Sequence, residues 1–346
     1  MKIAILLPEI YNCGPVNVAL NLANFLFSCE NVSLMIVSIR PLVHNETLDF
    51  FKKKSSLGVH TLDGKDYLKE LKKITSDFDV IHSHGFFPDK LLSKLDGNIK
   101  KISTVHCMFY KDYPKEYGYL KGILGAFTHF HILRNGGFHH IIGCSDSVAE
   151  YCIKNNLKNV ESIHNGVDQS RFKVLSIDDK KKRKLDFGFE GKVFIYAGRF
   201  IRRKKVPELI EYFLKKSTDD SVLLLLGDGP EKEQCIASYK SKKLKFIGQV
   251  DNPEWYYQFA DFVISNSSAE GYPMSIIEAI SCGCYALLSD IHPHKELVEN
   301  NPLCAKLLNE INFCDLTVAV INRELVTKLS AEHMALSYLK LYETNK

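Results

Sequence analysis

The chain lacks the features that would place it in a membrane, outside the cell or on nucleic acid. No stretch of its 346 residues approaches the roughly 20 consecutive apolar residues of a transmembrane helix. The first apolar run, residues 3–7, stops at Pro8, which predicts a strand rather than a secretory signal. Lysine and arginine cluster in places, but no nucleic-acid reading module accompanies them, and most of these clusters fit a solvated surface.

Cysteine is present without the spacing of a metal site. The ten cysteines include no Cys-x-x-Cys pair, and Cys282 and Cys284 are too close together for an ordinary zinc site. Without an export signal, such cysteines are expected to be reduced and mostly buried thiols. The sequence therefore predicts a cytoplasmic protein.

The glycine pattern of a dinucleotide-binding loop is also missing. No Gly-x-Gly-x-x-Gly follows the first strand, which makes a simple NAD site a weak interpretation. Gly14 stands there instead, ahead of an apolar helix predicted over 18–27. It is either a turn residue or a point where a phosphate or sugar approaches the backbone.

What is present is typical of a two-domain soluble protein. Hydrophobic residues make up 45% and charged residues 25% of the chain, and the net charge is +4. A chain of this length fits two domains of roughly 150 residues each. The polar, lysine- and aspartate-rich stretch 169–192 is the predicted boundary between them.

Short apolar runs alternate with segments of helix length in both halves, which predicts parallel sheets covered by helices. The predicted strands are 3–7, 33–39, 80–83, 102–105, 141–144, 161–164, 193–196, 222–226, 245–247, 262–265 and 285–289. They predict two Rossmann-like, doubly wound α/β domains facing a central cleft, with ligands beyond the carboxyl ends of the strands.

Two carboxylates with seven residues between them, one before and one after a predicted helix start, form the most informative motif. Glu270 ends a loop after strand 262–265, and Pro273 opens a helix predicted from Met274 to about Cys282, ended by Gly283. Glu278 is expected to lean back toward the helix N-terminus. That terminus suits a phosphate and the carboxylates suit hydroxyls, which predicts a nucleotide-sugar site. Acidic residues are common at helix starts in any case.

Further candidates follow other strands. Arg199 and Lys204 come after the first strand of the second half, where both cations can stabilise a leaving diphosphate. Gly229 belongs to a glycine-rich turn after the next strand. In the first half, His106 ends a strand, and His82 and His84 are a second candidate pair. A structural histidine is the alternative for all three.

Seven elements stand in register with a known family. They are the Gly14 loop, Ser103-Thr-Val-His106, Gly143-Cys-Ser145, Asn165-Gly-Val-Asp168, Gly198-Arg199 with Lys204, Gly227-Asp-Gly229-Pro230, and Glu270 with Glu278. Together they resemble the retaining glycosyltransferases of family 4, which have the GT-B fold. The resemblance covers nearly the whole chain.

The resemblance implies a set of roles. Arg199 and Lys204 would bind the donor diphosphate, and Glu278 the ribose. Glu270 would hold the donor sugar with the backbone of the next four residues, while Gly229 would line the donor site. Gly14 would approach the phosphate, and His106 would lie near the reacting centre. The four residues after Glu270, whose backbone would help to hold the donor sugar, are Gly271, Tyr272, Pro273 and Met274. No metal and no cofactor is expected, since the nucleotide sugar is a substrate.

The resemblance also implies a domain plan. We expect an acceptor-side domain over 1–170, a nucleotide-sugar domain over 171–328, and a C-terminal helix over 329–346 that packs back on the first domain. Three positions depart from the family: Pro15 removes a backbone donor beside Gly14, Lys205 stands where glycine is usual, and Cys107 follows His106.

The expected reaction moves a hexose or N-acetylhexosamine, with a UDP-sugar favoured, to a saccharide acceptor that is lipid-linked, in bacterial surface polysaccharide assembly such as lipopolysaccharide. Residues 109–138 mix aromatic and basic side chains, including Lys111, Lys115 and Lys121, and predict peripheral attachment to the cytoplasmic face of the inner membrane, with an ordinary core helix as the alternative. Two rival functions are a sugar-nucleotide 2-epimerase of similar fold and a non-catalytic sugar-nucleotide-binding subunit.

Overall fold

The computed structural model describes residues 1–317, 321 and 323–344. They divide into two units, one formed by Met1–Gly166 with Ala331–Lys346 and the other by Val167–Ser330. The sequence predicts divisions after residues 170 and 328, whereas the units divide after 166 and 330. Residues 345 and 346 of the predicted C-terminal range lie outside the described residues.

The strands follow the predicted alternation with helices. They are β1 Lys2–Leu7, β2 Ser33–Ser38, β3 Val59–Thr61, β4 Val80–His84, β5 Lys100–Val105, β6 His140–Gly143, β7 Val160–Ser162, β8 Val193–Ala197, β9 Val222–Leu226, β10 Leu244–Gly248, β11 Phe262–Ser265, β12 Tyr285–Leu288 and β13 Ala305–Leu307.

The α-helices lie between the strands and after the last of them. They are α1 Gly14–Leu26, α2 Glu46–Lys53, α3 Tyr67–Ile74, α4 Phe86–Leu92, α5 Phe109–Tyr117, α6 Tyr119–Asn135, α7 Asp146–Lys154, α8 Ile177–Asp186, α9 Val206–Lys216, α10 Lys232–Ser238, α11 Glu254–Tyr257, α12 Met274–Ser281, α13 His292–Asn300 and α14 Ala331–Glu343. Among the described residues, none of them is long and apolar enough to cross a bilayer.

Each unit is built on one parallel sheet. The first unit has the strand order β3-β2-β1-β4-β5-β6-β7, and the second has the order β10-β9-β8-β11-β12-β13. Every strand pair between these neighbours is parallel. In each unit the first strand in sequence, β1 or β8, lies inside the sheet, and the strand order reverses beside it. This is the doubly wound topology that the alternation predicts.

The core of each unit is its central strands. The strand residues Ile3–Leu7 of β1 are fully buried, and so are Phe194 and Ile195 of β8 and Leu223–Leu225 of β9. Strands buried on both faces read as continuous apolar runs, which is why these elements were recognisable without an alternating pattern.

The C-terminal helix packs against the first unit, as the sequence predicts. Tyr338 and Tyr342 on α14 are buried, and the Lys100 ammonium of β5 donates to the carbonyls of Leu341 and Tyr342 at 3.0 Å each. A cation at the last carbonyls of a helix satisfies acceptors that have no partner within the helix. Lys100 therefore attaches the C-terminal end of α14 to the sheet.

All ten cysteines are thiols rather than disulfides, and six of them are buried. The three-residue edge strands β3 and β13 are absent from the predicted strands. Both are only three residues long and are interrupted by a polar residue in the middle, so neither produces a recognisable apolar run.

Candidate functional site

The candidate site lies in the second unit, where the strand order reverses. β8 is bonded to β9 on one side and to β11 on the other. The loops after β8 and β11 therefore leave the same edge of the sheet from adjacent strands. This is the position at which doubly wound sheets bind their ligands.

An ion cluster joins these two loops. Lys204 Nζ lies 2.5 Å from Glu270 Oε1, and Arg203 Nη1 lies 3.3 Å from Glu270 Oε2. We call Arg203, Lys204 and Glu270 the Glu270 cluster. The Glu270 side chain is 7% exposed, and those of Lys204 and Arg203 are 13% and 17% exposed. The cluster thus holds two cations and one anion in a largely buried place.

Burial and charge act in opposite directions on this cluster. Burial would raise the pKa of Glu270, but Lys204 and Arg203 outweigh it and lower that pKa to about 2. Burial lowers the pKa of Lys204, and the Glu270 carboxylate acts against that change. Glu270 is therefore ionised throughout the physiological range, and its oxygens can accept hydrogen bonds.

Arg203 is a residue that the sequence reasoning missed. Besides its ion pair, its guanidinium donates to the carbonyl of Ala269 at 3.0 Å. Its own carbonyl accepts from the backbone N–H of Ser268 at 2.8 Å and from the Ser268 hydroxyl at 3.0 Å. Arg203 thus fixes the loop that carries Glu270. Its place in the basic run 202–205, directly before Lys204, was the signal.

Lys205, which stands where the family usually has glycine, adopts a backbone conformation typical of glycine. It ends the short 3-10 helix Arg202–Lys204 with φ of 50° and ψ of 48°, in the left-handed region. Glycine adopts this conformation without the steric cost that a Cβ brings, and that cost is of order 1 kcal/mol. The turn that presents Lys204 therefore has the conformation for which a glycine is usual at this position.

Gly227 and Gly229 serve the backbone in this structure. Their φ angles are +121° and +150°, and an added Cβ would lie 2.0 Å from the Gly198 oxygen and 2.5 Å from the Phe200 oxygen. The backbone N–H of Phe200 donates to the Asp228 carbonyl at 2.8 Å. The glycines thus let the loop after β9 pack directly on the loop that carries Arg199. Arg199 itself is exposed.

The helix after the Glu270 loop begins at Met274, as predicted. Prolines at helix starts are usually the first helical residue. Pro273 is the N-cap of α12 rather than its first residue, with φ of −73° and ψ of 110°. The helix ends at Ser281, and Gly283 follows with φ of 93°. The residues between Glu270 and the first turn of the helix are all buried, namely Gly271, Tyr272, Pro273 and Met274.

Glu278 is a buried carboxylate on α12. It is 8% exposed, and burial raises its pKa to about 7. The positive charge of Arg171 acts against this rise, and the negative charge of Glu254 adds to it. In the described part of the chain no side chain forms an ion pair with Glu278. Its environment is therefore very different from that of Glu270, although both are buried.

His294 is a second residue that the sequence reasoning missed. It is fully buried near the start of α13, and its Nδ1 lies 3.1 Å from the carbonyl oxygen of Ser289. A carbonyl only accepts, so Nδ1 carries the proton and Nε2 offers a lone pair. Burial lowers the pKa of His294 to about 4, and the Glu270 charge acts against that change. Its position just after β12, beyond a strand end, was the available signal.

The first unit carries the remaining candidates. Gly14 is the first residue of α1, and Cys13 is its N-cap without a side-chain cap. Pro15 lies in the first turn, where a missing N–H costs no helix bond. His106 follows β5 and is partly buried, and its Nε2 lies 2.9 Å from His84 Nδ1. One member of the histidine pair that the sequence singled out, His84, is therefore in contact with His106.

Two family models match the chain. The model described as glycosyl transferases group 1 matches residues 177–310, and the model described as Glycosyltransferase Family 4 matches residues 36–171. The first match lies within the second unit, and the second match lies in the first unit except for its last five residues, 167–171.

Curated relatives match at low identity over long stretches. An O-antigen biosynthesis glycosyltransferase, WclY of Escherichia coli, is 25% identical over 337 residues, which cover 93% of this chain and 90% of the relative. A capsular polysaccharide biosynthesis glycosyltransferase, CapH of Staphylococcus aureus, is 27% identical over 277 residues, covering 72% and 71%. An Escherichia coli UDP-Gal:alpha-D-GlcNAc-diphosphoundecaprenol alpha-1,3-galactosyltransferase is 24% identical over 248 residues, covering 67% and 62%.

Solved structures share the fold. The crystal structure of Anabaena HepE in complex with UDP-glucose superposes with a TM-score of 0.80 at 15% identity, covering 99% of both chains. The structure of WaaG, a glycosyltransferase involved in lipopolysaccharide biosynthesis, gives a TM-score of 0.70 at 12% identity and covers 99% of this chain. The chain is a glycosyltransferase with the GT-B fold and belongs to glycosyltransferase family 4.

Proposed function

We propose that this protein moves a hexose or N-acetylhexosamine from a UDP-sugar to a lipid-linked saccharide, with retention of the anomeric configuration, in the assembly of a bacterial surface polysaccharide. The observation that carries the proposal is the Glu270 cluster beside the N-terminus of α12. It combines cations, an ionised carboxylate and the backbone N–H groups at the start of a helix, all at one edge of the sheet.

The donor's diphosphate meets positive charge at this edge. Lys204 and Arg203 are already held by Glu270, and Arg199 is close enough to lower the pKa of Lys204 further. A bound diphosphate would share Lys204 with Glu270. It would also bind the exposed Arg199 side chain. The backbone N–H groups at the start of α12 add donors for a phosphate. In this proposal, these groups bind the leaving diphosphate without a metal.

The two carboxylates would bind hydroxyls of different parts of the donor. Glu270 is ionised and pinned by two cations, so it can accept from a hydroxyl of the donor sugar without moving. Glu278 is buried one helical turn into α12, where it would accept from the ribose. The UDP-glucose complex of HepE, a protein of the same fold, supports a uridine nucleotide as donor.

The reaction needs one bond exchange at the anomeric carbon. The bond from C1 to the distal phosphate oxygen breaks, and a bond from C1 to the acceptor oxygen forms on the same face. Negative charge develops on the diphosphate as the C1–O bond breaks, because the bonding electrons stay with the phosphate oxygen, and that oxygen then takes the acceptor proton. Lys204 and Arg199 stabilise that charge, and fixed cations in a dry site are typically worth a factor of about 100 or more.

The acceptor is proposed to be presented at a membrane. The side chains of Tyr117, Tyr119, Leu120, Leu124 and Phe127 form what we call the α5–α6 apolar face, and they are 60%, 75%, 83%, 66% and 60% exposed. Lys111, Lys115 and Lys121 are exposed on the same two helices. Apolar side chains flanked by lysines suit the surface of an anionic bilayer. The lipid-diphosphate substrate in the name of one relative supports an acceptor of this kind.

Proton and phosphorus NMR of the purified protein with UDP-sugars tests the proposal. With a polyprenyl-diphosphate N-acetylglucosamine probe as acceptor, we expect UDP to be released together with an α-linked product. A new UDP-sugar without release of UDP would instead identify a 2-epimerase. Binding of the donor without any conversion would identify the non-catalytic subunit.

Variants connect that result to the site. Lys204→Met is expected to lower kcat/KM about a hundredfold or more, because it removes a cation from the leaving group. Lys215→Ala, an exposed lysine on α9, is the matched control and is expected to leave the rate unchanged. Equal rates in both variants would remove Lys204 from the mechanism.

A further inference from the structure

Three histidines lie together at the ends of β4 and β5. His82 and His84 are two residues apart on β4 and therefore point to the same face of the sheet. Their ring centroids are 4.3 Å apart, and the rings of His84 and His106 are nearly parallel, at 20°, with centroids 5.1 Å apart. His82 and His84 are fully buried, and His106 is partly buried.

His82 is held at both of its nitrogens. Its Nδ1 lies 2.7 Å from the Tyr342 hydroxyl, and its Nε2 lies 2.7 Å from the Thr104 hydroxyl. The Thr104 hydroxyl lies in turn 2.8 Å from the Tyr338 hydroxyl. Helix α14 thus fixes His82 through its two tyrosines, and His82 has no nitrogen left for its neighbour.

Among the described residues, the His84 ring forms one hydrogen bond, and it is made with His106. His84 Nδ1 lies 2.9 Å from His106 Nε2, whereas His84 Nε2 is buried and has no hydrogen-bond partner in that part of the chain. Burial lowers the pKa of both rings, to about 3 for His106, so both are neutral at physiological pH. Each ring therefore carries one proton, and one of the two facing nitrogens must be the donor.

The unpartnered nitrogen decides which one. If His84 carried its proton on Nε2, a buried N–H would have no acceptor at all. If the proton is on Nδ1, the unpartnered Nε2 has only a lone pair, and bare acceptors are tolerated more often than bare donors. His84 therefore donates to His106, and the proton of His106 must then be on its own Nδ1.

We propose that His84 is a positioning residue that donates its Nδ1–H to His106 Nε2 and so holds His106 in the Nδ1–H tautomer. His106 then has an N–H to give to a substrate oxygen and no free lone pair with which to remove a proton. This proposal rests on the proposed function for the identity of that substrate. It makes His106 a hydrogen-bond donor in the reaction and leaves the proton of the acceptor to the leaving phosphate.

The tautomer can be read directly. Long-range proton–nitrogen correlation spectra of protein labelled with ¹⁵N-histidine distinguish a protonated ring nitrogen from a bare one, and His106→Ala assigns the signals. In the wild-type protein we expect Nδ1 of His106 to be protonated and Nε2 to be bare. Protonation at His106 Nε2 would overturn the proposal without any variant of His84.

Two variants at His84 sharpen the test. The amide nitrogen of asparagine is as far along the side chain as the histidine Nδ1, so His84→Asn is expected to keep the donor and the Nδ1–H tautomer. The glutamine amide is one bond longer, so His84→Gln is expected to release His106. His129→Gln is the control, because His129 is a buried histidine that bonds Asp89 and Tyr113 instead. A tautomer that is unchanged in His84→Gln would contradict the proposal.

Kinetics provide the second arm. His84→Gln is expected to lower kcat about tenfold or more with the donor KM unchanged, and His84→Asn to restore it, because a small misplacement of a reacting group is costly. Equal losses in both variants, or a matching loss in His129→Gln, would reduce His84 to a structural residue. If no transfer is seen in the wild type, the proposed function fails, while the NMR arm still decides the tautomer.

Discussion

At the scale of single residues, Glu270 keeps its charge because Lys204 and Arg203 face it. If the buried carboxylate is replaced by a neutral group, the two cations lose their counter-charge. This lowers the stability of the fold, because water reaches the site poorly and cannot solvate them. The pair of Glu270 and Lys204 should therefore behave as a unit in stability measurements as well as in donor binding.

Glu270→Gln is expected to lower the free energy of unfolding by about 2–4 kcal/mol, since it leaves Lys204 and Arg203 buried and unpaired by a carboxylate. The double variant Lys204→Met/Glu270→Gln is expected to recover part of that loss, because one of the buried charges is then gone. Thermal unfolding of the wild type and of the single and double variants measures this. A single variant as stable as the wild type would show that the ion pair contributes nothing to folding.

Glu278 predicts how donor binding depends on pH. Its pKa is raised to about 7 by burial, and only the ionised carboxylate can accept from two ribose hydroxyls. Donor binding therefore requires loss of a proton when the pH is below about 7. We expect the donor affinity to fall as the pH is lowered from 8 to 6, by up to about tenfold per pH unit at the lower end.

Calorimetric titration with the donor at several pH values checks this prediction. In Glu278→Gln we expect weaker binding that no longer changes over the same range, because the amide does not titrate. An affinity that is equal at pH 6 and pH 8 in the wild-type protein would remove Glu278 from the ribose.

At the scale of helices and strands, the sequence predicts the architecture well and the contacts poorly. Long apolar runs such as β1 and β9 were recognisable because a strand buried on both faces needs no pattern. The edge strand β3 was not, since three half-exposed residues give no signal. The Glu270 motif was recognisable from Pro273 and the helix after it, but its contact with Arg203 depends on a loop from a neighbouring strand, which local sequence does not encode.

The α5–α6 apolar face predicts membrane binding. Within residues 109–138, two helices are divided at Gly118 and the second ends at Asn135, and the exposed aromatic and aliphatic side chains are on both of them. Leu124→Ser/Phe127→Ser is expected to reduce cosedimentation with anionic liposomes severalfold, because it removes two exposed apolar side chains of α6 that would enter the bilayer interface. Reversing the charges of Lys111, Lys115 and Lys121 is expected to have a similar effect that disappears at high salt.

Ile177 provides the control for that prediction. It is 70% exposed on α8, which belongs to the second unit. Ile177→Ser is expected to bind liposomes as the wild type does. If all these variants cosediment equally, the α5–α6 apolar face is not a membrane surface.

At the scale of the whole molecule, the second unit is continuous in sequence and the first is not. The two ends of the second unit, Val167 and Ser330, are paired in a β-bridge, so the segment 167–330 begins and ends at one place. The first unit is completed by α14, which buries Tyr338 and Tyr342 against His82 and is held by Lys100.

This arrangement predicts unequal behaviour of the two fragments. The fragment 167–330 is expected to fold and to bind the donor, since it contains the Glu270 cluster, Glu278 and a complete sheet. The fragment 1–166 is expected to unfold at a lower temperature than its counterpart with α14 attached, because the face around His82 is then uncovered. Circular dichroism and donor titration test both statements. A fragment 1–166 that is as stable as the one with α14 would show that the helix adds little.

The central claim is that the second unit holds a nucleotide-sugar site formed by the Glu270 cluster and Glu278. The most direct measurement is the thermal stabilisation of the full chain by UDP-, GDP-, ADP- and dTDP-sugars, without metal and then with magnesium. We predict a clear increase in Tm with a UDP-sugar in the absence of metal, lost in Lys204→Met and Glu278→Gln and kept in Lys215→Ala. No increase with any of these nucleotides, or an equal increase in all the variants, would contradict the account.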